Sequence, residues 1–533
     1  MRTSERPAGT NSGPTYRISL TVEIQTEPVN SLVAPPVLKA RWRSAASIPL
    51  VLCVIGIALR VVQYLHHRSL WFDEAMLALN IVNRSYSQLV QPLDYNQGAP
   101  AGFLFLERLA GTHLGFGEYA LRLIPLIAGV CSLYLFYKLA QLLLPPKALW
   151  IALGLAALCP HLIYYSSELK QYSSDVLIAT ALALLLFNLV TRPINVRMGA
   201  ILGVAGAIAI WISHPALIVL AGTGGAALAS SLFRRDWKCV KALLIAVILW
   251  TASFGGFYLI SVRDVAKNNF FYLYWATAFM PHDLTSIATW RWLLQHLLSV
   301  FRNPGGTFAE PAIICFSVGA VVVFQQDRQK FWMLVSPIVI ALVLSYLGKY
   351  PFEGRLLLFL APTLFLLIAA GLNYFFEDRR RSLVIVGYAL LVLIAAQPIA
   401  RSTKYLLGRK SGQEEEIRPV LQRVKAQSQP GDWCYVYHWT RFQYWYYSTV
   451  YHLGCENVSI GNLHIDTPND YKAEVNAITG HPRVWLIFSH NQREEEDFIT
   501  TYAMKIGLRL AEYKDYKASA YLFDFKSSSG ASK

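Results

Sequence analysis

About eleven apolar runs, each of roughly twenty residues, follow one another along the chain. Inside a bilayer the backbone finds no water to bond. A run of that length can cross only as a helix, which satisfies its own N–H and C=O groups. The runs fall at 47–65, 119–144, 148–167, 172–190, 198–213, 215–233, 240–262, 308–325, 331–348, 356–376 and 382–399. Charged residues make up only 15% of the chain and hydrophobic ones 54%, whereas an ordinary soluble domain carries about 25% charged residues. The pattern predicts an α-helical polytopic membrane protein and excludes a single soluble core.

The net charge of +15 would suit a nucleic-acid partner. The basic residues, however, lie in short clusters between apolar runs and build no single basic face, so nucleic acid is excluded as a partner. Alternate connections hold Lys39, Arg41 and Arg43; Lys147; Arg192 and Arg197; Arg234, Arg235, Lys238 and Lys241; Arg328 and Lys330; and Arg379, Arg380 and Arg381. All fall on one side if the N-terminus is cytoplasmic, as the positive-inside rule requires. That arrangement predicts the non-cytoplasmic face for Asp73 and Glu74, the turn around Lys170, the loop 263–307, the turn 349–355 and the chain beyond Arg401.

Three regions follow. Residues 1–45 are polar and rich in Ser, Thr and Pro, which predicts a disordered cytoplasmic tail. The apolar run from Ser47 is expected to stay as an anchor and not to leave as a signal peptide. Residues 46–400 carry the spans, with outer loops at 66–118 and 263–307. In "LTSIATWRWLLQHLLSVF", Leu284, Ile287, Trp290, Leu294, Leu297 and Phe301 recur at helical spacing. This predicts an amphipathic helix, either lying on the membrane surface or packed on an outer domain. Residues 401–533 turn soluble: "EEEIRPVLQRVKA" reads as a helix, and "DWCYVYH", "RVWLIFSH" and "AYLFDF" read as strands. They predict a small extracytoplasmic α/β domain. Cys434 and Cys455 lie there, and an oxidising compartment would let them pair. Their Cα separation cannot be read from sequence, and the reading adopted is two buried thiols. No Cys/His spacing resembles a zinc site.

Ionisable groups at membrane depth are expensive, so those that persist are candidates for function. "LWFDEAMLAL" places Asp73 and Glu74 side by side after the first span, next to Trp71 and Phe72. A helix N-cap at Asp73 with Glu74 in the first turn would explain one acid, not the pair. "IYYSSELKQYSSD" places Glu168, Lys170 and Tyr172 at an outer turn, where a local Glu–Lys pair is the plainer alternative. "KYPFEGRLLLFLAP" sets Arg355 at the outer start of a late span, where it reaches either membrane phosphates or the phosphate of a bound lipid substrate. Glu118 and Arg122 in "GEYALRLIP" read as a structural pair.

Taken in order, "WFDEA", "NQGAPAGFLFLERL", "GEYALRLIP", "YYSSELKQYS" and "YPFEGRLLLFLAP" resemble the motifs of the GT-C glycosyltransferases that use a polyprenyl-phosphate-linked sugar. That superfamily includes protein O-mannosyltransferases and bacterial enzymes acting on lipid A and lipopolysaccharide core. The resemblance covers residues 47–400, with one departure: Lys170 stands where an arginine is expected, keeping the charge and losing the bidentate fork. It implies a GT-C-like fold and a polyprenyl-phosphate sugar donor. The implied acceptor is a hydroxyl on a glycan, lipid or protein, and the implied setting is a bacterial inner membrane. It implies Asp73 as general base with Glu74 orienting the acceptor or tuning Asp73. Lys170, Arg355 and Tyr172 would bind the donor phosphate, with Glu168 and Arg122 in support. Displacement would be single and inverting. No cofactor is required; a divalent metal stays open, because some relatives bind one at their acidic motif. A transporter or lipid flippase is the alternative. It would place its ionisable groups near the bilayer midplane on broken helices, where Arg60 and His214 are the nearest examples.

Overall fold

A computed structural model describes residues 47–191, 196–263, 269–408, 414–464, 469–490 and 493–526. The tail expected over 1–45 lies outside the described residues. Helix α1 (Ser47–Leu65) opens the bundle, and two further helices, α2 (Phe72–Asn83) and α3 (Ala101–Leu114), lead to α4 (Glu118–Leu143). Next come α5 (Pro146–Leu158), α6 (Pro160–Tyr165), α7 (Tyr172–Val190), α8 (Val196–Ile212), α9 (Ala216–Phe233) and α10 (Trp237–Val262). The bundle closes with α11 (Ile287–Arg302), α12 (Ala309–Gln326), α13 (Arg328–Tyr346), α14 (Gly354–Glu377) and α15 (Arg381–Leu406). Among the described residues nine helices are long and apolar enough to cross a membrane, and α5 and α8 are shorter apolar helices. The eleven expected runs all appear. The run expected at 148–167 is broken, because Pro160 cannot continue the helix.

That break explains Arg60. Its guanidinium donates to the carbonyls of Gly56 at 2.8 Å and Ala156 at 3.2 Å. Ala156 lies in the last turn before Pro160, where a helix leaves carbonyls without partners. Arg60 is therefore buried and engaged by backbone carbonyls of its own helix and of α5. Helix α14 is the hub of the bundle, buried along nearly its whole length. It meets α12 through Gly319 and Gly371, where any Cβ would collide with the Leu367 and Cys315 carbonyls across the seam. Small residues let membrane helices approach in this way.

Beyond α15 the chain folds into α16 (Ile417–Gln427), β1 (Trp433–Val436), α17 (Arg441–Tyr451), β2 (Asn457–Ile460), α18 (Asp470–Ile478), β3 (Val484–Ser489), α19 (Arg493–Ile506), β4 (Leu508–Asp515) and β5 (Ala518–Asp524). The sheet order is β2-β1-β3-β5-β4. β1 runs parallel to β2 and β3, while β5 runs antiparallel to β3 and β4. β3 and β5 are buried on both faces, as their nearly unbroken apolar sequences require. β2 and β4 were not legible, being short or mostly polar. Cys434 and Cys455 form a disulfide, with Cα atoms 5.8 Å apart. This corrects the expectation of two thiols: β1 and the turn before β2 bring together residues that sequence spacing alone could not place.

One face of the sheet packs a core of its own with α18 and α19, through Val475, Ile478, Ile499 and Phe523; the other face shares its core. Leu77 and Ile81 of α2 are buried in one cluster with Val420 and Leu421 of α16, Phe442 of α17 and Trp485 of β3. Helix α2 is thus held between the bundle and the sheet. The apolar face of α11 behaves differently. Ile287, Trp290 and Leu294, with Leu284 just before the helix, are exposed, while Leu297 and Phe301 pack into the bundle core, so the helix leans on the bundle and not on the sheet.

Candidate functional site

The helix α2 begins at Phe72 with Trp71 as its N-cap. Asp73 is therefore a second-position residue and does not cap. Glu74 reaches back to the cap instead, accepting from the Trp71 backbone N–H at 3.3 Å. The plainer alternative, a cap at Asp73, is therefore not what the helix start shows.

The two neighbouring acids face different surroundings, because successive helical residues are rotated by about 100°. Asp73 lies on the wall of a cavity of about 2380 Å³. One of its oxygens is 3.0 Å from Lys170 Nζ and the other 3.1 Å from an Arg355 guanidinium nitrogen, with the Asp73 side chain 17% exposed. Burial pushes its carboxyl up, but Lys170 and then Arg355 outweigh it and hold the pKa below the usual value. Lys170 also donates to Gln97 Oε1 at 2.7 Å. Arg355 lies 5.6 Å from the Tyr172 ring centre and 5.9 Å from that of Trp71. It follows Gly354, whose φ of +50° admits no ordinary side chain without strain.

Glu74 is fully buried behind that wall. One oxygen accepts from Arg122 Nε at 2.9 Å and from the Leu169 N–H at 2.7 Å; the other accepts from a second Arg122 nitrogen at 2.6 Å. Arg122 also donates to the carbonyls of Arg68 at 2.6 Å and Ser69 at 3.1 Å. Burial raises the Glu74 carboxyl, yet Arg122 and Arg68 together hold its pKa below normal. The fork ties α2 to α4 and to the turn carrying Lys170. Glu74 and Arg122 do not line the cavity, so of the two roles expected of Glu74, orienting the acceptor or tuning Asp73, the geometry offers no direct contact for the first. Glu118 is likewise not paired with Arg122. It accepts from Arg418 at 2.8 Å and Tyr447 at 2.9 Å, and also from Tyr451.

Of the residues read from sequence, Asp73, Lys170, Tyr172 and Arg355 meet at the cavity. Glu168 is buried beside them with neither carboxyl oxygen hydrogen-bonded. Burial above all, and then the charge of Glu74, push its pKa up to about 7. Glu168 and Lys170 make no local ion pair, since Lys170 pairs with Asp73. A divalent ion does not fit the acidic motif: Asp73 faces two cations and Glu74 a third. Among the described residues no three His, Cys, Asp or Glu side chains converge as metal ligands. Sequence reading missed Gln97, although it lies in a quoted motif, and also Arg68 and the C-terminal residues that complete the site. Those last carry no local signal, because the sheet brings them there.

The cavity has two characters. Leu217, Ile218, Phe254, Phe257 and Val262 line its bundle side, while Trp439, Arg441, His490 and Lys514 line its sheet side. Its apolar wall suits a chain, and its upper wall suits polar groups.

No family model matches the sequence, and no curated protein matches it. Solved structures do. ArnT from Cupriavidus metallidurans in the apo state aligns at a TM-score of 0.53 with 13% identity, covering 90% of this chain and 98% of that one. The same protein bound to undecaprenyl phosphate gives 0.50 with 13% identity, covering 88% and 97%. The Archaeoglobus fulgidus oligosaccharyltransferase in the apo form also gives 0.50, with 12% identity, covering 91% and 74%. The chain has the GT-C fold, that of these membrane-embedded glycosyltransferases.

Proposed function

We propose that the protein transfers a sugar from a polyprenyl-phosphate donor to an acceptor hydroxyl, at the extracytoplasmic face of a bacterial inner membrane. The observation that carries this reading is Asp73 held between Lys170 and Arg355 on the cavity wall, 3.0 and 3.1 Å from the two cations. An undecaprenyl phosphate bound to a protein of the same fold supports a lipid phosphate as the ligand. The apolar wall offers room for its chain. The disulfide in the C-terminal layer supports an oxidising, extracytoplasmic location for that layer.

The acceptor oxygen attacks the anomeric carbon as the bond from that carbon to the phosphate oxygen breaks. Its proton passes to Asp73, and the lipid phosphate leaves with its charge neutralised by Lys170 and Arg355. A single displacement inverts the anomeric centre. No cofactor is required. Without donor, the two cations keep Asp73 ionised and weakly basic. A donor phosphate shares those cations, so the basicity of Asp73 rises when the donor is in place. Glu74 and Arg122 position α2. Tyr172 flanks Arg355, and Glu168 lies buried below.

Asp73→Asn is expected to abolish sugar transfer while the protein stays folded. The assay is mass spectrometry of lipid-linked sugars and surface glycans in cells carrying the wild type or the variant. Unchanged glycans with Asp73→Asn would overturn the assignment of the base.

A further inference from the structure

The sheet side of the cavity holds a second fixed group, one that the donor chemistry leaves unused. Glu415, just before α16, is buried, its side chain 5% exposed. One of its oxygens accepts from the Phe72 backbone N–H at 3.3 Å and from Gln443 Nε2 at 2.9 Å. The other oxygen meets His490 Nδ1 at 2.5 Å. Gln443 in turn donates to the Leu70 carbonyl at 2.9 Å. Three elements distant in sequence therefore converge on the Leu70–Phe72 segment just before Asp73.

His490 is held in three ways. Its Nδ1 is bonded to Glu415, and its ring lies flat on Phe72 with centroids 4.3 Å apart and planes 7° apart. Its backbone adopts φ +50°, an uncommon conformation for a side-chain-bearing residue and one found where neighbouring structure enforces it. Yet the side chain is 38% exposed and lines the same cavity as Asp73. One edge and one face of the ring are fixed. A neutral imidazole that donates Nδ1–H to Glu415 presents its lone pair on Nε2. Among the described residues Nε2 has no protein partner. A carboxylate orienting an imidazole by Nδ1, so that Nε2 meets a hydroxyl, is a recurrent arrangement for handling an O–H group.

We propose that the Glu415–His490 pair is the acceptor clamp of this cavity: His490 Nε2 accepts the hydrogen bond of a neighbouring hydroxyl of the acceptor, which leaves the proton of the attacking hydroxyl to Asp73. The donor is gripped from the bundle by Lys170 and Arg355, and the acceptor from the sheet by His490. This inference rests on the glycosyl-transfer reading above. Glu415 is a positioning residue, because it acts through the imidazole.

The test uses full-length protein and two variants that split the ring. His490→Asn places an amide nitrogen near the position of Nδ1, keeping the bond to Glu415 and removing Nε2. His490→Gln places an amide near the position of Nε2. The expected result is a loss of sugar transfer of roughly 10- to 100-fold for His490→Asn. His490→Gln should recover part of that loss, and both variants should bind undecaprenyl phosphate in detergent as the wild type does. Full transfer by His490→Asn would show that the pair only braces α2, and would overturn the clamp. Loss of undecaprenyl phosphate binding in both variants would place His490 on the donor and overturn it as well. If Asp73→Asn remains active, it is the glycosyl-transfer reading that fails, an outcome separate from either of these.

Discussion

Asp73 and Glu74 are adjacent in sequence and are expected to respond oppositely to the same loss of charge. Glu74→Gln removes the negative charge from a fully buried fork whose two Arg122 contacts measure 2.6 and 2.9 Å. The amide keeps one acceptor oxygen but presents an N–H₂ to donors, and Arg122 is left buried without its counter-charge. Breaking a buried pair in this way costs about 3–5 kcal/mol. For a chain of this length that corresponds to a fall on the order of 3–5 °C in unfolding temperature. Asp73→Asn has a smaller effect on stability. Asp73 is 17% exposed at the cavity, and an asparagine oxygen can still accept from one of its two cations. A smaller loss than for Glu74→Gln is expected, because the cavity gives Lys170 and Arg355 access to water that Arg122 lacks. Thermal unfolding of both variants in one detergent, followed by intrinsic fluorescence, together with sugar transfer in membranes, reads the contrast. Glu74→Gln should be the unstable one, and Asp73→Asn the stable, inactive one. Equal unfolding temperatures for Glu74→Gln and wild type would refute the assignment of Glu74 as the structural acid.

Lys170→Gln and Arg355→Gln should each weaken binding of undecaprenyl phosphate by roughly 10-fold or more, since each removes a charge-assisted contact to phosphate; a binding titration with unchanged affinity would remove them from the donor site. Glu168→Gln tests a buried acid whose pKa is raised to about 7. Such a group binds its proton more tightly in the folded state than in the unfolded one. It therefore lowers stability as pH rises from the ordinary carboxylate range through 7. The Gln variant should match the wild type near pH 5 and unfold at a higher temperature at pH 8; identical pH profiles would refute this. Cys434→Ser opens a link across a separation of 21 residues, and a loss of about 3 kcal/mol is expected, measured as a drop in unfolding temperature that reducing agent reproduces in the wild type.

The membrane character of this protein was written in its sequence. Long apolar runs admit one backbone solution in hydrocarbon, and all eleven runs became helices. The charged residues bound for the cavity were also visible, because Asp73, Lys170 and Arg355 are costly at a membrane boundary and stand out from their surroundings. Strands such as Val484–Ser489 were equally legible, being short apolar runs bounded by polar residues. Partnership was not legible. Glu118 and Arg122 are four residues apart, as a helical pair should be, yet each bonds a partner elsewhere, Arg418 and Glu74. The disulfide and the Glu415–His490 pair lay equally beyond local reading, since 75 residues separate Glu415 from His490. Periodicity and the price of burying charge act along the chain and are local. Which of two adjacent acids faces the cavity, and which faces an arginine, depends on the rotation of α2 between bundle and sheet, and only packing sets that rotation.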